Sequence, residues 1–246
     1  MNPSISIIIP ALNEGQVVND TVAEVTTAVE RSFVNYEIVL VDDGSTDETG
    51  AIMDRLAAGN QRIRAIHNER NLGFGGAYKR GVGAVTQEYV IMVPGDNAFS
   101  AASLDPIFAA VGTADIVIPV VMNPEARTFG RRVASKGFTT LMNVLFDLKV
   151  GYYNGPVVHR LDLLRQISIT TNGFAYQAEV LVKLLKRGYS FVEVSTEVLE
   201  RSAGKSKALR LRNLKTVVAA VFHLWLECRN ASTSPKPARP VAGTGA

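Results

Sequence analysis

Two runs of β-branched residues in this chain break off abruptly into polar residues able to grip a base or an anion. The first, Ile5-Ser6-Ile7-Ile8-Ile9, ends in Pro10-Ala11-Leu12-Asn13-Glu14, and the second, Glu37-Ile38-Val39-Leu40-Val41, ends in Asp42-Asp43-Gly44-Ser45-Thr46-Asp47. A short apolar run stopped by a Gly- or Pro-marked loop is how a buried parallel strand ends at a ligand crevice. Two such ends near the start of a sheet point to a nucleotide site. Asp43-Gly44-Ser45 also reads as a plain turn, with Ser45 or Asp47 capping the next helix, and that reading holds whether or not Asp43 touches a ligand.

The glycine-rich Gly73-Phe74-Gly75-Gly76 invites comparison with a dinucleotide fingerprint. That fingerprint belongs in the first strand-to-helix turn of a βαβ unit, with an acidic residue ending the next strand. Here the segment follows the third strand, so the dehydrogenase reading is poor. The glycines instead let a loop and helix start approach a nucleotide closely, with Lys79 or Arg80 nearby, either as anion-binding cations or as a solvated helix face.

Taken in order, Pro-x-x-Asn-Glu at Pro10 to Glu14, Val-Asp-Asp-Gly-Ser-x-Asp at Val41 to Asp47 and Asn-x-Gly-x-Gly-x-Ala at Asn71 to Ala77 resemble the family-2 glycosyltransferases, and among them the dolichol-phosphate-mannose-synthase-like branch. The likeness runs to about Lys207. It implies an α/β fold of the GT-A nucleotide-diphospho-sugar transferase type, with a mostly parallel central sheet and helices on both faces. The implied reaction moves a sugar from a nucleotide-diphosphate sugar to a polyprenyl phosphate, with inversion. Transfer to a saccharide or small soluble acceptor, and a nucleotide-sugar-binding protein without turnover, are the alternatives.

The resemblance also distributes roles. Pro10, Asn13, Glu14, Asp42, Asp43, Gly73, Gly75 and Lys79 fall in donor segments, where Asp42 or Asp43 would accept from the imide of uracil or the matching edge of guanine. After the fourth strand, relatives carry an Asp-x-Asp pair that holds Mg²⁺ or Mn²⁺ on the diphosphate. Here the first acidic position is Pro94 and Asp96 matches the second, with Asn97 beside it as a neutral oxygen ligand. Arg131-Arg132-Val133-Ala134-Ser135-Lys136 is similar to the basic segment before the family's acceptor helix. Tyr153-Asn154-Gly155-Pro156 stands where the family has Asp-x-Thr/Ser-Gly-Phe-Arg, its Asp and Arg replaced by Tyr152 and Val157. Arg131, Arg132, Ser135, Asn154 and Gln177 are therefore the acceptor candidates, although a basic pair before a helix is also ordinary solvent-facing charge. Glu179, in an aromatic-x-x-x-Glu segment, would contact the sugar, support the site or act as base toward a hydroxyl acceptor. Arg201, Ser206 and Lys207, in Arg-x-x-Gly-x-Ser-Lys, would close over the donor diphosphate and stabilise its growing charge.

The elements that must position these residues alternate along the chain. Patterning predicts strands near 5–9, 37–41, 63–67, 89–93, 115–120 and 190–194, and helices near 16–31, 48–58, 75–85, 103–110, 131–147, 174–187 and 208–227. Such alternation implies βαβ crossovers, with ligands beyond the carboxyl ends of the strands. The expected organisation is a GT-A domain over 1–207, an amphipathic helix over 208–229 and a disordered, proline-bearing tail over 230–246. In the helix, the apolar stretch from Thr216 to Leu226 is far shorter than the ~20 residues of a span. With Lys205, Lys207, Arg210, Arg212 and Lys215 before it and Trp225 near its end, it reads as an interfacial helix on anionic lipid or as a core helix.

Composition bounds the rest. The 246 residues are 47% hydrophobic and 20% charged, ordinary for a globular protein, and a net charge of +3 does not argue for nucleic acid. One cysteine, Cys228, excludes an internal disulfide and a thiol metal cluster, which points to a reducing compartment. Met1 to Ser4 lead straight into a strand without a signal-peptide pattern, so the expected location is cytoplasmic, with peripheral attachment to the inner face of the membrane.

Overall fold

The computed structural model describes residues 3–123, 129–199 and 211–231. In chain order the elements are β1 (Ile5–Ala11), α1 (Val18–Ser32), β2 (Tyr36–Asp42), α2 (Thr49–Gly59), β3 (Ile63–His67), α3 (Phe74–Val82), β4 (Tyr89–Met92), α4 (Ala101–Ala109), β5 (Ile116–Val121), α5 (Phe129–Phe146), β6 (Val158–Arg160), α6 (Leu161–Leu164), α7 (Tyr176–Leu185), β7 (Phe191–Thr196) and α8 (Leu211–Ala231). The strands form one sheet in the order β3-β2-β1-β4-β6-β5-β7. Every pairing is parallel except those of β6, which runs antiparallel to both β4 and β5. The sheet is thus mostly parallel, as expected, with one reversed strand that patterning did not predict. Three residues are too few to show a period, and β6 lies directly after the segment read as an acceptor element.

β1 shows why the sheet is covered on both faces. Successive side chains point to opposite sides. Ile5, Ile7 and Ile9 pack with Val18, Val22 and Val25 of α1 and Leu104 and Ile107 of α4. Ile8 points the other way, into a core shared with Tyr78 of α3, Met142 and Phe146 of α5, Leu181 of α7, and Val221 and Leu224 of α8. α3 lies hard against the sheet there, because a Cβ on Gly81 would stand 2.5 Å from Ile8 Cγ2.

The C-terminal helix docks on this same face. Lys183 of α7, itself buried, donates to Glu179 (2.8 Å) and pairs with Glu227 of α8 (2.9 Å). Val217, Val221, Leu224 and Trp225 therefore serve the core, while Val218, Phe222 and Leu226 line the outer side of the helix. The expected tail beyond Ala231 lies outside the described residues.

Candidate active site

The parallel strands end level with one another. Ala11 of β1 is in register with Asp42 of β2, and Asp42 with His67 of β3. β4 continues the rim beside β1, where the Gly95 N–H donates to the Pro10 carbonyl (3.1 Å) and a Cβ on Gly95 would stand 2.9 Å from that of Ala11. Asp96 and Asn97 follow at once. The donor candidates of four separate segments are thereby gathered along one edge.

The loops after β1 and β2 are laced together. Asn13, in the left-handed region (φ 55°), donates its N–H to Ser45 Oγ (3.0 Å) and accepts from the Thr46 N–H (2.8 Å). The Glu14 N–H donates to Thr49 Oγ1 (2.9 Å) and the Gly15 N–H to Asp47 (3.2 Å). Asp47 also accepts from the Thr49 N–H (3.0 Å), so it ties the start of α2 to the first loop as well as restraining the helix end. Ser45 is spent on Asn13 rather than on a cap. Asp42, almost buried, accepts from the Ser45 N–H (2.9 Å) and from His67 Nδ1 (3.1 Å). Burial pushes its pKa up, and the bonds from Ser45 and His67 outweigh that and hold it below the ordinary value.

Asp43 is held by the chain itself. It is 4% exposed, and its Oδ1 accepts from Asn68 Nδ2 (2.9 Å) and the Leu72 N–H (2.9 Å) while Oδ2 accepts from the Gly73 N–H (3.1 Å). Three donors fold the β3–α3 loop around it. The glycines of that loop also face protein rather than open crevice. The Gly75 and Gly76 N–H groups donate to the Asn172 carbonyl (2.8 and 3.3 Å), Lys79 Nζ donates to Asn172 Oδ1 (2.6 Å), and a Cβ on Gly75 would stand 2.5 Å from the Thr171 carbonyl oxygen. Gly73, Gly75 and Lys79 thus seat α3 on the segment before α7, so the close approach the glycines allow is to Thr171 and Asn172, and Lys79 is tied to Asn172. Asn172 was missed because nothing in its own sequence neighbourhood marks it.

Glu179 anchors that same segment. Its Oε1 accepts from the Thr170 N–H and Oγ1 (both 2.9 Å) and from Lys183 Nζ (2.8 Å), and Oε2 accepts from the Thr171 N–H (2.9 Å). Burial raises its pKa, but the bonds from Lys183, Thr170 and Thr171 prevail and lower it to about 2. A general base working near neutrality needs a pKa several units higher. Glu179 is a strut and not the base proposed for a hydroxyl acceptor.

At the metal position, Asn97 adopts a left-handed backbone (φ 54°) and its N–H donates to Thr21 Oγ1 of α1 (3.0 Å). Its side-chain Oδ1 is buried without a hydrogen-bond partner. An orphaned amide oxygen next to the Asp96 carboxylate is a hard-oxygen pair that fits Mg²⁺ or Mn²⁺. Among the described residues no group of three or more His, Cys, Asp or Glu side chains converges on one point, so the remaining ligands would come from phosphate and water.

The acceptor candidates divide. Arg131, Arg132 and Ser135 lie on the first turns of α5, with the Arg132 guanidinium 5.7 Å from the centre of the Phe129 ring, and Asn154 is exposed. Gln177 is buried instead, bonded to His159 Nε2 (2.9 Å), and burial drives the His159 pKa down to about 3. It belongs to the core, which corrects its place among the acceptor contacts. α5 exposes an apolar stripe, including Phe129 (72% exposed) and Val144 (76%), with a groove of about 600 Å³ lined by Val133, Lys136, Gly137, Thr140, Leu141 and Val144. Arg201, Ser206 and Lys207 lie outside the described residues.

The family model described as "Glycosyl transferase family 2" matches residues 6–167. The chain belongs to glycosyl transferase family 2. As such it is a glycosyltransferase, and its sheet and rim are those of the GT-A fold. Polyprenol monophosphomannose synthase of Mycolicibacterium smegmatis is 29% identical over 217 residues, 82% of this chain and 79% of that protein. Undecaprenyl-phosphate mannosyltransferase of Micrococcus luteus is 28% identical over 215 residues, 81% of this chain and 85% of that one. Among solved structures, glucosyl-3-phosphoglycerate synthase from Mycobacterium tuberculosis, in complex with Mn²⁺, UDP and phosphoglyceric acid, superposes with a TM-score of 0.71 at 17% identity. The match covers 91% of this chain and 78% of the other. No helix among the described residues of this family-2 enzyme is long and apolar enough to cross a membrane.

Proposed function

We propose that this glycosyltransferase moves a sugar from a nucleotide-diphosphate sugar to a polyprenyl phosphate, with inversion at the anomeric carbon. The observation that carries the reading is the engagement of Glu179. With the candidate base held as a strut, the acceptor that suits the site is one that arrives already ionised, and a lipid phosphate does. Two relatives named for polyprenol and undecaprenyl-phosphate mannosyl transfer support the same class of acceptor.

The chain's own residues then align and neutralise. The rim formed by Asn13, Glu14, Asp42 and the loops they organise receives the nucleoside, and Asp43, Gly73, Gly75 and Lys79 shape it from behind. Asp96 and Asn97 would hold Mg²⁺ or Mn²⁺, which supplies positive charge to the diphosphate leaving group. By the resemblance of their motif, Arg201, Ser206 and Lys207 would add positive charge and hydrogen bonds to the same leaving group. Arg131, Arg132 and Ser135 direct the acceptor phosphate toward the rim, with the exposed Asn154 a further acceptor contact, and the apolar groove of α5 takes the first isoprene units. The exposed faces of α5 and α8 rest on an anionic membrane surface, a peripheral attachment on the cytoplasmic side.

The test is transfer from radiolabelled GDP-mannose and UDP-glucose to undecaprenyl phosphate in detergent, with Mn²⁺ and with chelator. Label moving into the organic phase with one donor and with metal is expected. Label moving only to 3-phosphoglycerate would favour a soluble acceptor, the reading encouraged by the fold neighbour, and no label in either would overturn both.

A further inference from the structure

His67 sits at the end of the edge strand β3 with a carboxylate against each ring nitrogen. Nδ1 lies 3.1 Å from Asp42 Oδ2, and Nε2 lies 2.9 Å from Asp54 Oδ1 of α2. The close approach depends on Gly50, because a Cβ there would stand 2.9 Å from Asp42 Oδ2 and 3.4 Å from His67 Nδ1. A neutral imidazole carries one N–H and can satisfy one of these oxygens, leaving a lone pair against the other. The imidazolium satisfies both. The ring is half-exposed, Asp42 is nearly buried and Asp54 is exposed, so protons reach the cluster freely.

We propose that protonated His67 is a positioning residue for the donor site: it bridges Asp42 to α2 and lowers the negative charge of the rim, so that donor diphosphate binds more tightly below the titration of His67 than above it. The charged groups facing the ring are Asp42 from β2 and Asp54 from α2, and β3 has no strand on its outer side. Protonated, the trio carries one net negative charge, and deprotonated it carries two. Asp42 also holds the Ser45 N–H, and its own carbonyl accepts from the Asn68 N–H (2.8 Å), so a change at His67 reaches both loops. The hydrogen bonds to Asp42 and Asp54 hold the His67 pKa above its ordinary value, in favour of the imidazolium that satisfies both carboxylates. This inference rests on the proposed donor site.

Linkage gives the test, since whatever factor protonation contributes to donor affinity, donor binding must return to the pKa of His67. The imidazole resonances of the full-length protein are followed by NMR from pH 5.5 to 9, with and without saturating UDP or GDP. His67 is assigned by comparison with His67→Gln among the three histidines. The expected result is a His67 pKa raised further by half to one unit on nucleotide binding, equivalent to about three- to tenfold in affinity. Nucleotide affinity measured calorimetrically should fall by that factor as pH rises through the transition. In His67→Gln, which keeps a donor toward Asp42 and controls for titration of the nucleotide itself, the fall should disappear. In Asp54→Asn the pKa of His67 should drop. A His67 pKa unmoved by bound nucleotide, or a pH dependence that survives in His67→Gln, overturns the proposal while leaving the donor site standing. Absence of binding by either nucleotide at every pH overturns the donor site beneath it.

Discussion

Asp96 and Glu179 are both carboxylates near the rim, yet their surroundings give them opposite consequences on removal. Asp96 lies half-buried on a turn beside the orphaned Asn97 oxygen. Asp96→Ala is expected to reduce transfer by about 10²-fold or more while the melting temperature stays within about 2 °C of wild type. A variant that keeps full metal-dependent turnover would remove Asp96 from the leaving-group site. Glu179, 3% exposed, is bonded by Thr170, Thr171 and Lys183, and Glu179→Gln puts an amide N–H₂ among donors. The expected loss is on the order of 2 kcal/mol by denaturant titration. The pH signature has a definite sign. A folded-state pKa lowered from 4.5 to about 2 contributes stability that is present above about pH 4.5 and is lost as pH falls toward 2. Glu179→Gln should flatten that acid limb, and an unchanged acid profile would mean that other carboxylates govern it.

At the scale of elements, the glycine segment shows how α3 is held. Gly75→Ala would drive a methyl to 2.5 Å from the Thr171 carbonyl oxygen and 2.8 Å from Tyr176 Cβ, so α3 must back away from the segment that Glu179 anchors. A cost of about 1–3 kcal/mol is expected, together with weakened nucleotide binding. Gly83→Ala is the control, since its nearest neighbours stand at 3.5 Å, ordinary contact, and thermal melts of the two variants make the comparison. These contacts also mark what the sequence could show. The strands expected over 5–9 and 37–41 run on by two residues and one to Ala11 and Asp42, legible because a β-branched run stopping at a polar loop is a local pattern, and β3 spans the expected 63–67. The destination of the Gly75 and Gly76 amides was not, because Asn172 is almost a hundred residues away and joins them only after α7 packs on α3. The same holds for Asp43, whose partners Asn68, Leu72 and Gly73 depended on where the β3–α3 loop would fold. β6 was hidden by its length, and its reversal follows from a return into the sheet that no periodicity records. Gln177 was placed by motif alone, and the side of α7 it faces puts it in the core against His159.

The molecule as a whole is asymmetric in its coverage. The face of the sheet that carries Ile8 bears α5 and α8, and both helices present apolar residues outward after their inner residues have packed. On α8 the division is sharp: Val221 and Leu224 are buried while Val218 and Phe222 are exposed, the latter at 59%. The apolar stretch that the sequence left open between a lipid interface and the core therefore divides, its inner side packed in the core and its outer stripe exposed. Burying one exposed Phe and one exposed Val contributes roughly 3 kcal/mol, and each cation near an anionic surface adds about 1 kcal/mol at low salt. Arg132 and Lys136 of α5 and Lys215 of α8 are exposed for that role. In sedimentation with vesicles, the protein is expected to partition onto phosphatidylglycerol-containing membranes and to come off as salt rises, because the Debye length shrinks to about 3 Å at 1 M. Val144→Asp combined with Phe222→Asp should lower partitioning at least tenfold without lowering the melting temperature, since both side chains already face water in the free protein. Cation substitutions at Arg132, Lys136 and Lys215 should reduce binding to anionic vesicles and leave neutral ones unaffected. Undiminished partitioning in the double aspartate variant would assign the outer stripes of α5 and α8 to something other than lipid, and the polyprenyl phosphate would then have to be delivered to the rim from detergent or a carrier rather than drawn from a membrane.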